Sequence, residues 1–220
     1  MIADTNGLKN GQQRTYTDMK DHGHLLFQSG GYRTLKSFQL AQLCFDITVR
    51  FVELYIPKNS RTVDQMVQAA RSGVQDIAEG SVASATSKRT ELKLTNVARA
   101  SLEELRLDYE DYLRQHTAPL WSKEHPLAQE FISCRVSTMA DFRTFVKNAK
   151  QHPAMSVEVR TCPLQSVIVA NAVLLLLNVA CHLLDRQLAR LAADFEKEGG
   201  FSERMYQQRL QKRKNKNGIA

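Results

Sequence analysis

The chain has 220 residues, 43% of them apolar and 24% charged, with a formal net charge of +7. That is ordinary globular material for one domain, or one domain with an addition, and it excludes a chain that stays disordered. Residues 201–220 carry six basic residues against Glu203 alone, whereas residues 1–200 carry 24 basic and 22 acidic ones, which excludes a uniformly cationic, histone-like protein.

Residues 1–31 are polar, hold Gly7, Gly11, Gly23, Gly30 and Gly31, and have no apolar period, so a loose arm is expected. Their longest apolar run is Leu25-Leu26-Phe27, too short for a secretory leader. Residues 32–56 read as a first helix. Leu35, Phe38, Phe45, Val49, Val52 and Ile56 form one apolar row, and Leu40, Cys44, Ile47, Phe51 and Leu54 a second. A helix with so narrow a polar stripe is covered on more than one side. Residues 60–79 read as a second helix, with Val63, Val67, Ala70, Val74 and Ile77 at helical spacing. Gly80 is expected just past its end, at positive φ. Residues 81–86 read as a short connection.

A third helix is predicted from Ser87, a candidate N-cap, to about His116, with Leu94, Ala98, Leu102, Leu105, Tyr109 and Tyr112 as its core row. Its charges are segregated. Lys88, Arg89, Lys93 and Arg99 lie in the first half; Glu103, Glu104, Asp108, Glu110 and Asp111 lie in the second. Both groups oppose the helix dipole. The plain reading is a solvated face; the sharper one is a complementary contact with another chain. Residues 117–162 lie between prolines. One helix is expected there from Pro126 to about Gln151, with Phe131, Ile132, Val136, Met139, Phe142 and Val146 inward. Residues 163–198 read as the longest helix, about 54 Å. Gly199-Gly200 ends it, and a short basic amphipathic helix follows Ser202. No stretch alternates with period two, so the class is all-α.

Cys44, Cys134, Cys162 and Cys181 are too far apart for a zinc motif and read as free core thiols of a reducing, cytoplasmic compartment. Between Arg160 and Asp185 lie 24 uncharged residues, long enough to span a bilayer. Asn171, Asn178, His182 and Asp185 make a polar stripe along that helix. A buried core helix is therefore expected, and no membrane. His182 reads as a core hydrogen-bonding group or a register device. There is no Glu-x-x-His pair, H-E-x-x-H, G-x-S-x-G or phosphate loop. Asp76 with Glu91-Leu92-Lys93 copies a nuclease spacing by chance, since that chemistry needs a strand-built core. No enzyme, metal or cofactor is expected.

The most distinctive run is Gln65 to Gly80, ending Asp76-Ile77-Ala78-Glu79-Gly80, followed by Val97-Ala98-Arg99-Ala100-Ser101-Leu102-Glu103-Glu104-Leu105. Small residues, Ala69, Ala70, Ala78, Ala98 and Ser101, let two helices approach closely. Asp76 and Glu79 near a helix C-terminus want cationic partners, for which Arg71, Arg99 or a donor on the last helix are candidates.

This pairing resembles the four-helix bundle family first noted in proteins encoded within 23S rRNA intervening sequences. Ile77, Ala78, Glu79, Gly80, Ala98, Ser101, Glu104 and Leu105 match its pattern, while Asp76 stands where that family usually has Asn. Asn171, Leu183 to Leu188 with Asp185, Phe195, Gly199-Gly200-Phe201, Glu203-Arg204 and Arg209 resemble a longer subgroup with a C-terminal suffix. The resemblance implies an antiparallel up-down four-helix bundle over 32–198, with an inserted helical segment over about 117–162 and a basic suffix over 199–220. One branch, the accessory proteins of diversity-generating retroelements, forms homopentameric barrels that bind nucleic acid and a reverse transcriptase. By that resemblance the chain is a homo-oligomer, a pentamer, that associates with RNA or DNA and with a reverse transcriptase. The residues expected to meet phosphates are Lys88, Arg89 and Lys93, and in the suffix Arg204, Arg209, Lys212, Arg213, Lys214 and Lys216. The alternative is a protein-interaction scaffold with no nucleic-acid affinity, in keeping with the balanced body and with a solvated basic tail.

Overall fold

The computed structural model describes residues 30–155, 161–198, 205–211 and 213; these residues are helical apart from turns, with no strand among them. The protein is all-α. The expected arm lies outside the described residues except for Gly30 and Gly31. Gly30 has a φ of +89° and donates its N–H to the Ser81 carbonyl at 3.3 Å.

After a 3-10 turn at Tyr32–Thr34 comes α1 (Lys36–Tyr55). Its buried strip is Phe38, Ala41, Cys44, Ile47 and Phe51, joined by Leu43, Thr48 and Val52. Leu54 leaves the expected core row and is 51% exposed.

Helix α2 (Arg61–Ala83) starts at the Ser60 cap, whose hydroxyl accepts from the Thr62 N–H at 3.2 Å. It runs one turn beyond the predicted end, so residues 81–83 are helical and the connection to the next helix is shorter than expected. Gly80 is accordingly no C-terminal cap. It lies buried inside the helix and is not among the positive-φ residues. The physical reason for glycine is close approach. A Cβ there would sit 3.3 Å from Leu94 Cβ, and one at Gly73 would sit 2.8 Å from Leu102 Cγ. Seven residues apart, the two glycines share one face of α2.

Helix α3 (Lys88–Gln115) opens at Ser87, whose hydroxyl accepts from the Thr90 N–H at 3.1 Å. Ala98, Leu102, Leu105, Tyr109 and Tyr112 are buried along it. The single helix expected from Pro126 to Gln151 is two helices, α4 (Pro126–Cys134) and α5 (Met139–Ala149). Arg135 breaks the run in a left-handed conformation, φ 48°. Thr138 and Asp141 then restart it as a reciprocal capping box. Ile132 lies off the buried face of α4, 57% exposed, whereas Phe131, Phe142 and Phe145 cluster edge to face. Trp121 joins them, stacked on His125 with centroids 5.0 Å apart and a 6° interplanar angle.

Helix α6 (Leu164–Glu198) is long and apolar enough to cross a membrane by length and composition, but its apolar window is mostly buried inside the protein. The expected polar stripe divides. Asn171 is buried, its side chain accepting from the Trp121 N–H at 2.7 Å and donating to the Pro119 and Val167 carbonyls at 3.0 Å each. Asn178 and His182 face solvent, so His182 is not a core group. Exposure likewise corrects the cysteines. Cys44 and Cys181 are buried, Cys162 partly so, and Cys134 is exposed; all four are free. Burial pushes the Cys181 thiol up to about 12.

The four long helices pack in turn, α1 on α2, α2 on α3, α3 on α6 and α6 on α1, while α4 and α5 lie more lightly against α6. Hydroxyls lock the layers. Thr48 donates to the Cys44 carbonyl at 2.7 Å, so the Tyr109 hydroxyl, 3.0 Å away, donates to Thr48. Tyr112 donates to Ser166 at 2.8 Å in the same way.

Candidate nucleic-acid interface

The start of α1, the end of α2, the start of α3 and the second half of α6 converge at one end of the molecule. They surround a groove of about 1030 Å³. Lys36, Lys88, Arg186 and Arg190 line it, against Glu91 and Asp194. Ser37, Ser81 and Ser84 add small polar groups to its wall. Its charges are partly matched. Lys88 lies 3.0 Å from Glu91, with both side chains largely buried, and Arg190 lies 3.7 Å from Asp194 in the open. Lys36 bonds the Gln39 amide at 3.0 Å. A surplus of two positive charges remains, Lys36 on α1 and Arg186 on α6.

Of the predicted phosphate contacts among the described residues, Lys88 alone lines this groove. Arg89 and Lys93 are exposed elsewhere on the first turns of α3. Arg209, on the short helix over 205–211, and Arg213 are both exposed. Arg204, Lys212, Lys214 and Lys216 lie outside the described residues. Lys36, Arg186 and Arg190 were missed because they cluster only in space. The signal was present for two of them, since Arg186 and Arg190 are one helical turn apart.

No family model, curated protein or solved structure matches this chain. What the groove binds has therefore to be argued from its own residues.

The motif residues lie at helix contacts. Ile77 and Gly80 are buried, Asp76, Ala78 and Ser101 are half-buried, and Glu79 and Glu104 are exposed. Asp76 and Glu79 lie inside α2, not at its end, and no described residue forms an ion pair with either. Burial, then Glu79, raises the Asp76 pKa. Arg99, a candidate partner for them, instead binds Asp185 and ties α3 to α6. The described residues hold no group of three His, Cys, Asp or Glu placed for a metal ion.

The acidic half of α3 is only partly neutralised. Arg106 reaches Glu103 at 2.7 Å and Glu110 at 2.6 Å, and Arg114 reaches Asp111 at 2.8 Å. Asp108 is left with a buried Oδ2 that has no hydrogen-bond partner. Burial, then Glu104 and Asp111, raises its pKa to about 6. The folded protein thus holds this proton more tightly than the unfolded chain, whose value is about 3.9. The stabilisation is complete below about pH 4 and is lost as pH rises through 6. Asp108→Asn should remove that slope. Because the group is half exposed, it should stabilise the protein at pH 7.5 by only about 1 kcal/mol. Urea melts of both proteins at pH 4.5 and 7.5, at concentrations dilute enough for the chain to be monomeric, measure this; a slope that survives in Asp108→Asn would refute the assignment.

Proposed function

We propose that the protein is a cytoplasmic, non-enzymatic, homo-oligomeric accessory protein that binds RNA or DNA through the phosphate backbone. We read it as an antiparallel up-down bundle of α1, α2, α3 and α6, with α4 and α5 inserted between its third and last helices and a basic suffix after residue 198. Contacts at the two ends support that arrangement. Near one end Ser37 of α1 meets Gln187 of α6 at 3.3 Å; near the other Tyr112 of α3 meets Ser166 of α6. The resemblance to the 23S rRNA intervening-sequence family fits this reading. Assembly into pentamers and pairing with a reverse transcriptase come to this chain from that resemblance alone.

The observation that carries nucleic-acid binding is the convergence of Lys36, Lys88, Arg186 and Arg190 on one groove. Cations gathered from three helices can meet the phosphates of a nucleic-acid backbone without reading bases. Arg89, Lys93, Arg209 and Arg213 are further exposed cations available for the same role.

Fluorescence anisotropy with labelled random-sequence RNA and DNA across a salt series tests it. Arg186→Glu with Arg190→Glu should weaken binding roughly tenfold or more and flatten the log–log salt slope by about 1.4 on a single strand. Deleting residues 201–220 should weaken binding further. A specific observation favours the scaffold alternative: Glu91 and Asp194 already neutralise half the groove's cations. No retained RNA or DNA at low salt would establish that alternative.

A further inference from the structure

A second groove, of about 810 Å³, lies between α1, α5 and α6. Its apolar lining includes Leu54, Met139 and Val146, and its α5 wall carries Arg143, Lys147 and Lys150. All three cations are exposed, and none forms an ion pair with a described residue. The α1 wall carries Asp46 and the Arg50–Glu53 pair, so the positive charge is confined to one side.

The same chain carries the complement. On α3, Glu104, Asp108 and Asp111 recur at steps of four and three residues, the steps that separate Arg143 and Lys147 on α5 and Lys150 at its C-cap, still in right-handed helical backbone. In each helix the outer members are about 10.5 Å apart. Beside the carboxylates stands Leu107, 55% exposed. Glu104 and Asp111 are exposed as well. The Asp108 Oδ2 has no partner among the described residues, and burial, then Glu104 and Asp111, raises the cost of ionising Asp108.

We infer that the acidic face of α3 from one copy docks in the α1–α5–α6 groove of the next. Leu107 meets the apolar floor near Leu54 and Met139, and the carboxylate row lies along Arg143, Lys147 and Lys150. Burial of Leu107 supplies affinity, and the charge rows set register and orientation. The contact is heterologous, since two different faces meet. Repeated, it closes a ring or extends a fibre. This deepens the homo-oligomer reading and rests on it.

Light scattering coupled to size-exclusion chromatography tests it over a concentration series. Wild type should form oligomers. Glu104→Lys with Asp111→Lys should elute as a 24.9 kDa monomer. Lys147→Glu with Lys150→Glu should do the same, with unchanged helical circular dichroism in both. Mixing the two variants should restore association, because the reversed face of one meets the reversed groove of the other while the unreversed face and groove meet as in wild type. The strict alternation gives open or even-numbered assemblies, not a five-membered ring. Combining all four changes in one chain should restore it too. A wild-type oligomer unaffected by either reversal overturns the docking surface and leaves the oligomer reading standing. A monomeric wild type overturns both. Loss of nucleic-acid affinity in the groove variant at unchanged mass would assign the groove to a phosphate backbone and overturn self-docking. Binding of an acidic helical peptide by a monomeric wild type would assign it to a foreign helix and overturn it equally.

Discussion

Gly73→Ala should destabilise the protein by about 1–2 kcal/mol, although alanine is the better helix former by about 1 kcal/mol. On an exposed helix the exchange would be stabilising. Here the new methyl would lie 2.8 Å from Leu102 Cγ and closer still to Cδ2. Leu102 is fully buried, so its side chain has no solvent to swing into. Either α2 and α3 move apart or Leu102 leaves its rotamer, and overpacking of that kind costs typically 1–3 kcal/mol. A double-mutant cycle separates clash from propensity. Leu102→Ala alone should cost about 2–5 kcal/mol. In that background Gly73→Ala should become neutral or stabilising, giving a coupling energy above about 1 kcal/mol. Chemical denaturation of the four proteins measures this, and additive effects would refute the close contact. Gly80 is the milder case. A Cβ there meets Leu94 Cβ at 3.3 Å, which a shift of a few tenths of an ångström relieves, so Gly80→Ala should be near neutral.

Asn171→Leu should cost about 2–4 kcal/mol, despite similar volume and greater apolarity. The amide holds residues 119–121 against α6 by two bonds, one from the Trp121 N–H and one to the Pro119 carbonyl. Leucine would leave the Trp121 N–H buried without a partner, a loss of about 1–3 kcal/mol, and would strip the part-buried Pro119 carbonyl of its donor, a smaller loss. Asn171→Asp should also be destabilising, because it keeps the acceptor but turns a carboxylate towards two carbonyls that need donors. Trp121 is the only tryptophan, so its emission reports the site directly. Asn171→Leu should shift that emission to the red as Trp121, now 7% exposed, gains water. An unshifted spectrum with wild-type stability would show that the amide is dispensable.

The four long helices were legible because each buries a continuous face, and a buried face imposes a 3.6-residue period on the sequence. Ser87 was readable as a cap for a similarly local reason, since its hydroxyl satisfies an N–H three residues on. The break between α4 and α5 was missed. Apolar residues keep near-helical spacing across it, and Arg135 gives no warning of its left-handed backbone. Thr138 and Asp141 were the available signal, since a threonine three residues before a carboxylate is a helix start. Gly80 was misread because a glycine at the end of an apolar row looks alike as a cap and as a contact point. Only its distance to Leu94 tells the two apart.

The sequence by itself determined the all-helical class, the long buried α6, the basic suffix and the segregation of charge along α3. These are properties of single elements, and local periodicity and charge counts report them. Tertiary structure decided which surfaces those elements compose. It brought Lys36, Lys88, Arg186 and Arg190 into one groove although up to 154 residues separate them, set Arg99 on Asp185 instead of Asp76 or Glu79, and left Leu54 and Leu107 exposed. Periodicity says which side of a helix is apolar, but not which helix covers that side or how far along its axis. Those are fixed by interlocking small residues such as Gly73 and Gly80 with their neighbours on α3, a contact between distant parts of the chain.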